Sequence, residues 1–211
     1  MEMDALLGTG LESAGTRRFG ANAVLIRQGD AVGPLRLVRD GHAMACTYSL
    51  DGERGWVRDY APGDWIGLEW MSPDIASPVE VLAATPCALT LVSRADLHSA
   101  MASTPALRDA VNDQMRRSLS ELTERLIEAR TLSAKGRICA ELRRLARPVG
   151  VARGQFILRP VPVFATLAFR VGTTRESVSR TVSDLTKAGI LERRPGALLI
   201  LDMDGLDDRI V

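Results

Sequence analysis

The apolar positions of this chain follow three different patterns in turn. Over residues 17–93 they fall in short runs at 23–26, 35–38, 43–48, 79–82 and 88–92. Turn signals separate them: Gln28-Gly29-Asp30, Asp51-Gly52 and Pro62-Gly63-Asp64. Runs of this length at this spacing predict an all-β region, a small jelly-roll or barrel. A helix is then predicted from near Arg94, pausing at Thr104-Pro105 and resuming to about Arg130. Along it Met115, Leu119, Leu122, Leu126 and Ala129 alternate by four and three residues, flanked by Arg116, Glu121, Glu124, Arg125 and Glu128. That is the seam of a two-stranded coiled coil. Such stripes more often pack on their own domain, but this one is narrow and suits a second copy of the chain. Thr131-Leu132-Ser133 reads as a hinge, followed by a helix over 134–147 and a strand pair around 148–159.

The third pattern lies in 167–201, LAFRVGTTRESVSRTVSDLTKAGILERRPGALLIL. A helical run ends at Val171, and Gly172 tolerates the turn that follows. Thr173 or Thr174 can cap a second helix starting near Arg175. Lys187-Ala188-Gly189 closes it, and strands at 190–193 and 197–201 hinge at Pro195-Gly196 as a wing. In the second helix Val178, Val182 and Leu185 share one stripe, while Glu176, Ser179, Arg180 and Ser183 share the opposite one. Arg suits guanine O6 and N7, a carboxylate accepts from cytosine N4, and Ser contacts several base edges. An ordinary amphipathic helix with a solvated polar face is the plainer account. The turn, the wing and the local charge weigh against it together. The expected class is α+β: an N-terminal β-barrel or jelly-roll sensor domain (1–104), a dimerisation helix and hinge (105–132), and a C-terminal winged helix-turn-helix (133–211).

Charge sharpens this picture. The 211 residues carry a net charge of only +1. Residues 1–130, however, hold 13 basic and 18 acidic residues, a net −5, and residues 131–201 hold 13 basic and 4 acidic, a net +9. The excess lies where a polyanion would bind. The last ten residues turn acidic again and read as a solvated tail. No apolar run reaches membrane-spanning length, and MEMDALLGTG lacks the regions of a signal peptide, so a cytoplasmic protein is expected.

A β-domain, a long helix and a winged helix in this order resemble the CRP/FNR family of bacterial transcription regulators, over nearly the whole chain. Gly41 sits where that family has a glycine after an early strand. Pro62-Gly63-Asp64-Trp65-Ile66-Gly67 resembles its G-D-x-[IFL]-G turn, and Gly136-Arg137-Ile138 its G-R-[IVL] helix opening. Arg175-Glu176-Ser177-Val178-Ser179-Arg180 matches R-E-[ST]-V-[SG]-R, the most specific of these motifs. The resemblance implies a cyclic-nucleotide-binding-like β-domain, a homodimer on a palindromic operator, and RNA polymerase as a partner. It assigns Glu176 and Arg180 to base edges, Arg175 to phosphate, and a wing arginine, Arg193 or Arg194, to phosphate as well. With the capping Thr174, the DNA-binding candidates are Thr174, Arg175, Glu176, Ser179, Arg180 and Arg193. Ser179 occupies the position that separates E-x-x-S-R members, similar to FNR, from E-x-x-G-R members, similar to CRP, and so implies half-sites near TTGAT.

The chain also departs from that family's effector chemistry. Members that bind cyclic nucleotides carry G-E-L and, some ten residues on, an Arg-Ser or Arg-Thr pair. Here Leu68 of Gly67-Leu68-Glu69 takes the glutamate's place, and Ile75-Ala76-Ser77-Pro78-Val79 holds no base. Between Arg58 and Arg94 there is no Lys, Arg or His, while Asp59, Asp64, Glu69, Asp74 and Glu80 are acidic. Cyclic AMP is therefore not the expected effector. An iron–sulfur cluster needs about four cysteines, and the first cysteine is Cys46. No cofactor is expected.

Three alternative effector readings remain at this level. His42, Met44 and Cys46 alternate, so they share a strand face, and each can ligate haem iron; an ordinary strand face is the plainer account. Cys46, Cys87 or Cys139 offers redox control, Cys139 having basic neighbours that lower a thiol pKa if it is exposed; small buried hydrophobes are the plainer account. Trp56, Trp65, Trp70 and Met71 line an apolar pocket or simply fill the β-domain. An enzyme of cupin type needs clustered His and carboxylate ligands; this chain has only His42 and His98.

Overall fold

A computed structural model describes residues 15–31, 33–49, 52, 54–70, 76–148 and 156–210. Asp51, Met71, Asp74, Ile75 and the N-terminal ten residues lie outside that set. The chain divides into two compact units, Met1–Leu122 and Thr123–Val211.

In the first unit the strands are β1 Thr16–Phe19, β2 Val24–Ile26, β3 Leu35–Asp40, β4 Ala43–Tyr48, β5 Arg54–Tyr60, β6 Trp65–Ile66, β7 Glu80–Ala83 and β8 Cys87–Val92. Among the described residues they form two antiparallel four-stranded sheets, ordered β1-β8-β3-β6 and β2-β7-β4-β5. This is jelly-roll-like, not a closed barrel. Strands β1, β5 and β6 were absent from the apolar runs. Strands β1 and β5 are sheet edges with mostly exposed or half-buried residues, where the sequence signal is weak, and β6 is only two residues long, though both are buried.

Strand β3 buries side chains on both sides. Val38 joins Ala43, Ala45, Tyr60, Val81 and Leu89 in one core. Leu35 and Leu37 join Trp65, Leu97, Leu107 and Val111 in another. The second core is closed by helix α1, Arg94–Ser103, and the start of α2, Pro105–Thr131. Gln114 of α2 fastens that closure. Its Oε1 accepts from the Trp65 backbone N–H and its Nε2 donates to the Trp65 carbonyl, both at 2.8 Å.

The second unit packs α3 Ala134–Leu145, α4 Phe164–Val171, α5 Arg175–Lys187 and α6 Met203–Asp207 on a sheet ordered β11-β12-β10-β9. Its strands are β9 Arg147–Pro148, β10 Phe156–Leu158, β11 Leu191–Arg194 and β12 Ala197–Ile200. Helix α3 stops short of the expected residue 147. Ala146 turns extended, because Pro148 disfavours helical backbone at Arg147.

The expected solvated tail is also corrected. Asp202 accepts from the Gly205 N–H at 2.9 Å and caps α6, and Leu206 is fully buried against the core of Ile138, Leu142 and Leu158. A Cβ on Gly136 would lie 2.6 Å from the Ile210 carbonyl oxygen, so only glycine permits that approach. The four aspartates of this segment hid one capping residue and one anchoring leucine. No helix among the described residues is long and apolar enough to cross a membrane.

Candidate nucleic-acid interface

Helix α4 ends at Gly172, whose φ of 61° lies in the left-handed region that β-carbon-bearing residues avoid. The Thr173 N–H then donates to the Ala168 carbonyl at 3.0 Å. The Ser177 N–H donates to Thr174 Oγ1 at 3.2 Å. Thr174, not Thr173, is thus the cap of α5. Arg137 braces the turn from α3. It donates to the carbonyls of Val171 and Leu132, each at 2.9 Å, and of Gly172 at 3.3 Å. A cation on the last carbonyls of a helix suits both their lone pairs and the helix dipole.

Helix α5 buries Val178, Thr181, Val182 and Leu185 and exposes Arg175, Glu176, Ser179 and Arg180; Ser183 is half-buried. The exposed four line a concavity of about 400 Å³ together with Phe164 and Arg193. Arg175, Glu176 and Ser179 make no side-chain hydrogen bond or ion pair among the described residues, and Arg180 Nη2 lies 3.5 Å from Ser177 Oγ. Donors and acceptors are left open toward solvent, as reading a base edge requires.

The two wing arginines have different surroundings. Arg194 is bound by Glu192, through Nε at 2.8 Å and Nη2 at 3.3 Å. That hydrogen bond holds the Glu192 carboxyl below its ordinary pKa. Arg193 faces the concavity instead, its guanidinium carbon 5.7 Å from the centre of the Phe164 ring. The sequence reading missed Phe164, Arg137 and Glu141. Phe164 looked like part of an apolar helical run, Arg137 was only a motif letter, and Glu141 was one more charge in a basic region. Glu141 is in fact fully buried, and its carboxylate accepts from Arg125, Arg144 and Arg170 at 2.7, 2.5 and 3.2 Å. Arg144 also meets Glu128.

The alternative effector residues do not converge. His42 is exposed and precedes β4, where Cys46 is fully buried. Trp65 sits in the core beneath α2, and Trp70 packs on the core between the sheets. Trp56 donates to Asp59 at 3.0 Å. The three cysteines are buried. Burial lifts the Cys139 thiol to about 11 despite Lys135 and Arg209, which reverses the effect expected of an exposed thiol there. The same cause raises Cys87.

Comparison with known proteins agrees with this architecture. A cyclic nucleotide-binding domain model matches residues 16–104, and a Crp-like helix-turn-helix domain model matches residues 136–209. The chain is 25% identical to the anaerobic regulatory protein of Haemophilus influenzae over 190 residues, covering 87% of this chain and 71% of that protein. The protein of the same name from Pasteurella multocida is 27% identical, covering 87% and 67%. Among solved structures, FixK2 from Bradyrhizobium japonicum superposes with a TM-score of 0.74 at 20% identity, covering 94% of this chain and 98% of that one. The c-di-GMP responsive regulator CLP of Xanthomonas campestris gives 0.77 at 21% identity, covering 94% and 99%.

Proposed function

Because this chain belongs to the CRP/FNR family of DNA-binding transcription regulators, we propose the particular form that its regulation takes. It acts as a homodimer paired along α2, reads palindromic operators with TTGAT-type half-sites, and works without cyclic AMP. The observation that carries this reading is the single concavity in which Arg175, Glu176, Ser179, Arg180 and Arg193 stand together. Arg180 and Glu176 supply the discriminating contacts to base edges. Arg175 and Arg193 hold phosphate and fix register. Thr174 sets where α5 begins. Ser179 in E-x-x-S-R supports the TTGAT assignment.

Pairing along α2 is supported by its unpartnered stripe. Met115, Leu119 and Leu126 are 41%, 70% and 59% exposed in the isolated chain, and a second copy would remove that apolar surface from water. Two recognition helices would then enter successive major grooves about one DNA turn apart. Independence from cyclic AMP is supported by charge. Leu68 is buried, and Glu69 is bonded by Arg58 at 2.7 Å. No base follows Arg58 until Arg94, so a phosphate entering here would meet acidic groups and no free bidentate partner. The same reading makes the protein cytoplasmic, with RNA polymerase as its further partner.

The test is fluorescence anisotropy of ligand-free protein on a TTGAT–NNNN–ATCAA duplex and a scrambled control at one fixed salt concentration. Selective binding to the operator is expected. Equal binding to both would overturn the half-site assignment, and micromolar cyclic AMP affinity by calorimetry would overturn the effector claim.

A further inference from the structure

Phe164 opens α4, partly buried and packed against the core of the second unit. Its ring also lines the reading concavity, within cation–π distance of Arg193. The two adjacent wing arginines are therefore held in different ways. Glu192 pairs with Arg194 and takes two of its N–H donors. A ring attracts a guanidinium through its π face and accepts none of its in-plane N–H groups. Arg193 is thus ordered yet keeps its donors.

We propose that Phe164 is a positioning residue for DNA binding, holding the wing arginine Arg193 ready for a phosphate beside the groove that α5 reads. The proposal rests on the DNA-binding reading above and deepens it. An exposed arginine samples many rotamers, and ordering it on DNA costs conformational entropy. Holding it beforehand moves that cost from binding to folding. The contact serves the backbone and not the bases, so its benefit is independent of sequence.

The experiment is a double-mutant cycle by anisotropy on the operator and the scrambled duplex, across a salt series. The variants are Phe164→Leu, Phe164→Tyr, Arg193→Ala and Phe164→Leu combined with Arg193→Ala. Arg193→Ala is expected to weaken both duplexes by a similar factor and to reduce the salt slope by about one. Phe164→Leu is expected to weaken both roughly two- to fivefold, and Phe164→Tyr to bind as the parent does. In the Arg193→Ala background, Phe164→Leu should add no further loss, which a general defect in the domain would not reproduce. Additive losses, or a Phe164→Tyr variant as weak as Phe164→Leu, overturn the pairing while leaving the DNA-binding reading intact. Absence of salt-dependent binding by the parent protein to either duplex overturns both.

Discussion

Arg125 donates to Glu141 at 2.7 Å, joining the last part of α2 to a carboxylate that solvent does not reach. Burial alone would raise that carboxyl's pKa, but Arg125, Arg144 and Arg170 outweigh it and hold the group below its ordinary value. The last part of α2, α3 and the last turn of α4 are thereby tied to one charge.

Glu141→Gln should cost about 1–3 kcal/mol of unfolding free energy at neutral pH, since it removes the buried carboxylate shared by the part-buried Arg125, Arg144 and Arg170, while Glu128 still faces Arg125 and Arg144. The pH dependence has a definite sign. A depressed folded-state pKa gives stability that is fully present above the unfolded value, near 4.3, and is lost as pH falls through the folded value. Urea titrations of parent and variant should therefore differ most near neutrality and draw together in acid. A gap that stays constant with pH would exclude the carboxylate as its source.

Arg180→Ala should lose about 1–3 kcal/mol on the operator and blur discrimination at one base pair. Glu176→Ala should relax base preference with little loss of total affinity, because it removes a carboxylate from a site facing phosphates. Anisotropy on single-base operator variants separates the two. An unchanged specificity ratio for Arg180→Ala would remove it from the base-reading set.

If the chain pairs along α2 as proposed, Leu119→Asp should leave a folded monomer. Leu119 is 70% exposed in the single chain, so an aspartate there disturbs little within that chain, with an effect within about 0.5 kcal/mol. In a paired seam the same charge would be desolvated twice. Sedimentation velocity should show half the parent mass with an unchanged circular dichroism spectrum. A dimer that persists would place the interface elsewhere.

Arg58 tests the β-domain in the same way. Its buried guanidinium donates to Glu69 at 2.7 Å and to Ser118 Oγ at 2.5 Å, and stacks on Tyr60. Burial holds Glu69 above the ordinary carboxylate pKa even beside this cation. Arg58→Met should destabilise by about 3 kcal/mol, and Arg58→Met with Glu69→Leu should recover most of it, because the stranded charge is gone. In the single variant the folded state would retain the Glu69 proton more tightly than the unfolded one, so its stability should fall as pH rises above about 4.3. Thermal melts at pH 5 and pH 8 would reveal the trend; an increase with pH would contradict it.

The recognition helix was legible because it is built from local rules: a glycine at the turn, a threonine cap, a three-to-four-residue apolar stripe and a two-residue wing hinge. The central strands were legible for the same reason. Edge strands β1 and β5 were not, since their mostly exposed or half-buried side chains leave little hydrophobic trace, and β6 is too short, at two residues, to show a period. Two of the three partners of Glu141 were hidden because they lie 16 and 29 residues away along the chain and meet it only after three helices pack. Phe164 was hidden for a related reason. Its apolar character predicts burial, and nothing local says that its ring also lies beside the wing.

The clamp between Gln114 and Trp65 sets which motions α2 has available within its own unit. One side chain grips both polar groups of a single residue's main chain. Sliding the helix along its axis by even one residue, about 1.5 Å, would stretch both bonds together. Arg58, donating to Ser118 one turn further on, fastens the same stretch of α2 a second time. Within the first unit this part of α2 is therefore held in register by polar bonds to a strand's main chain and to a buried guanidinium, and not by apolar packing alone.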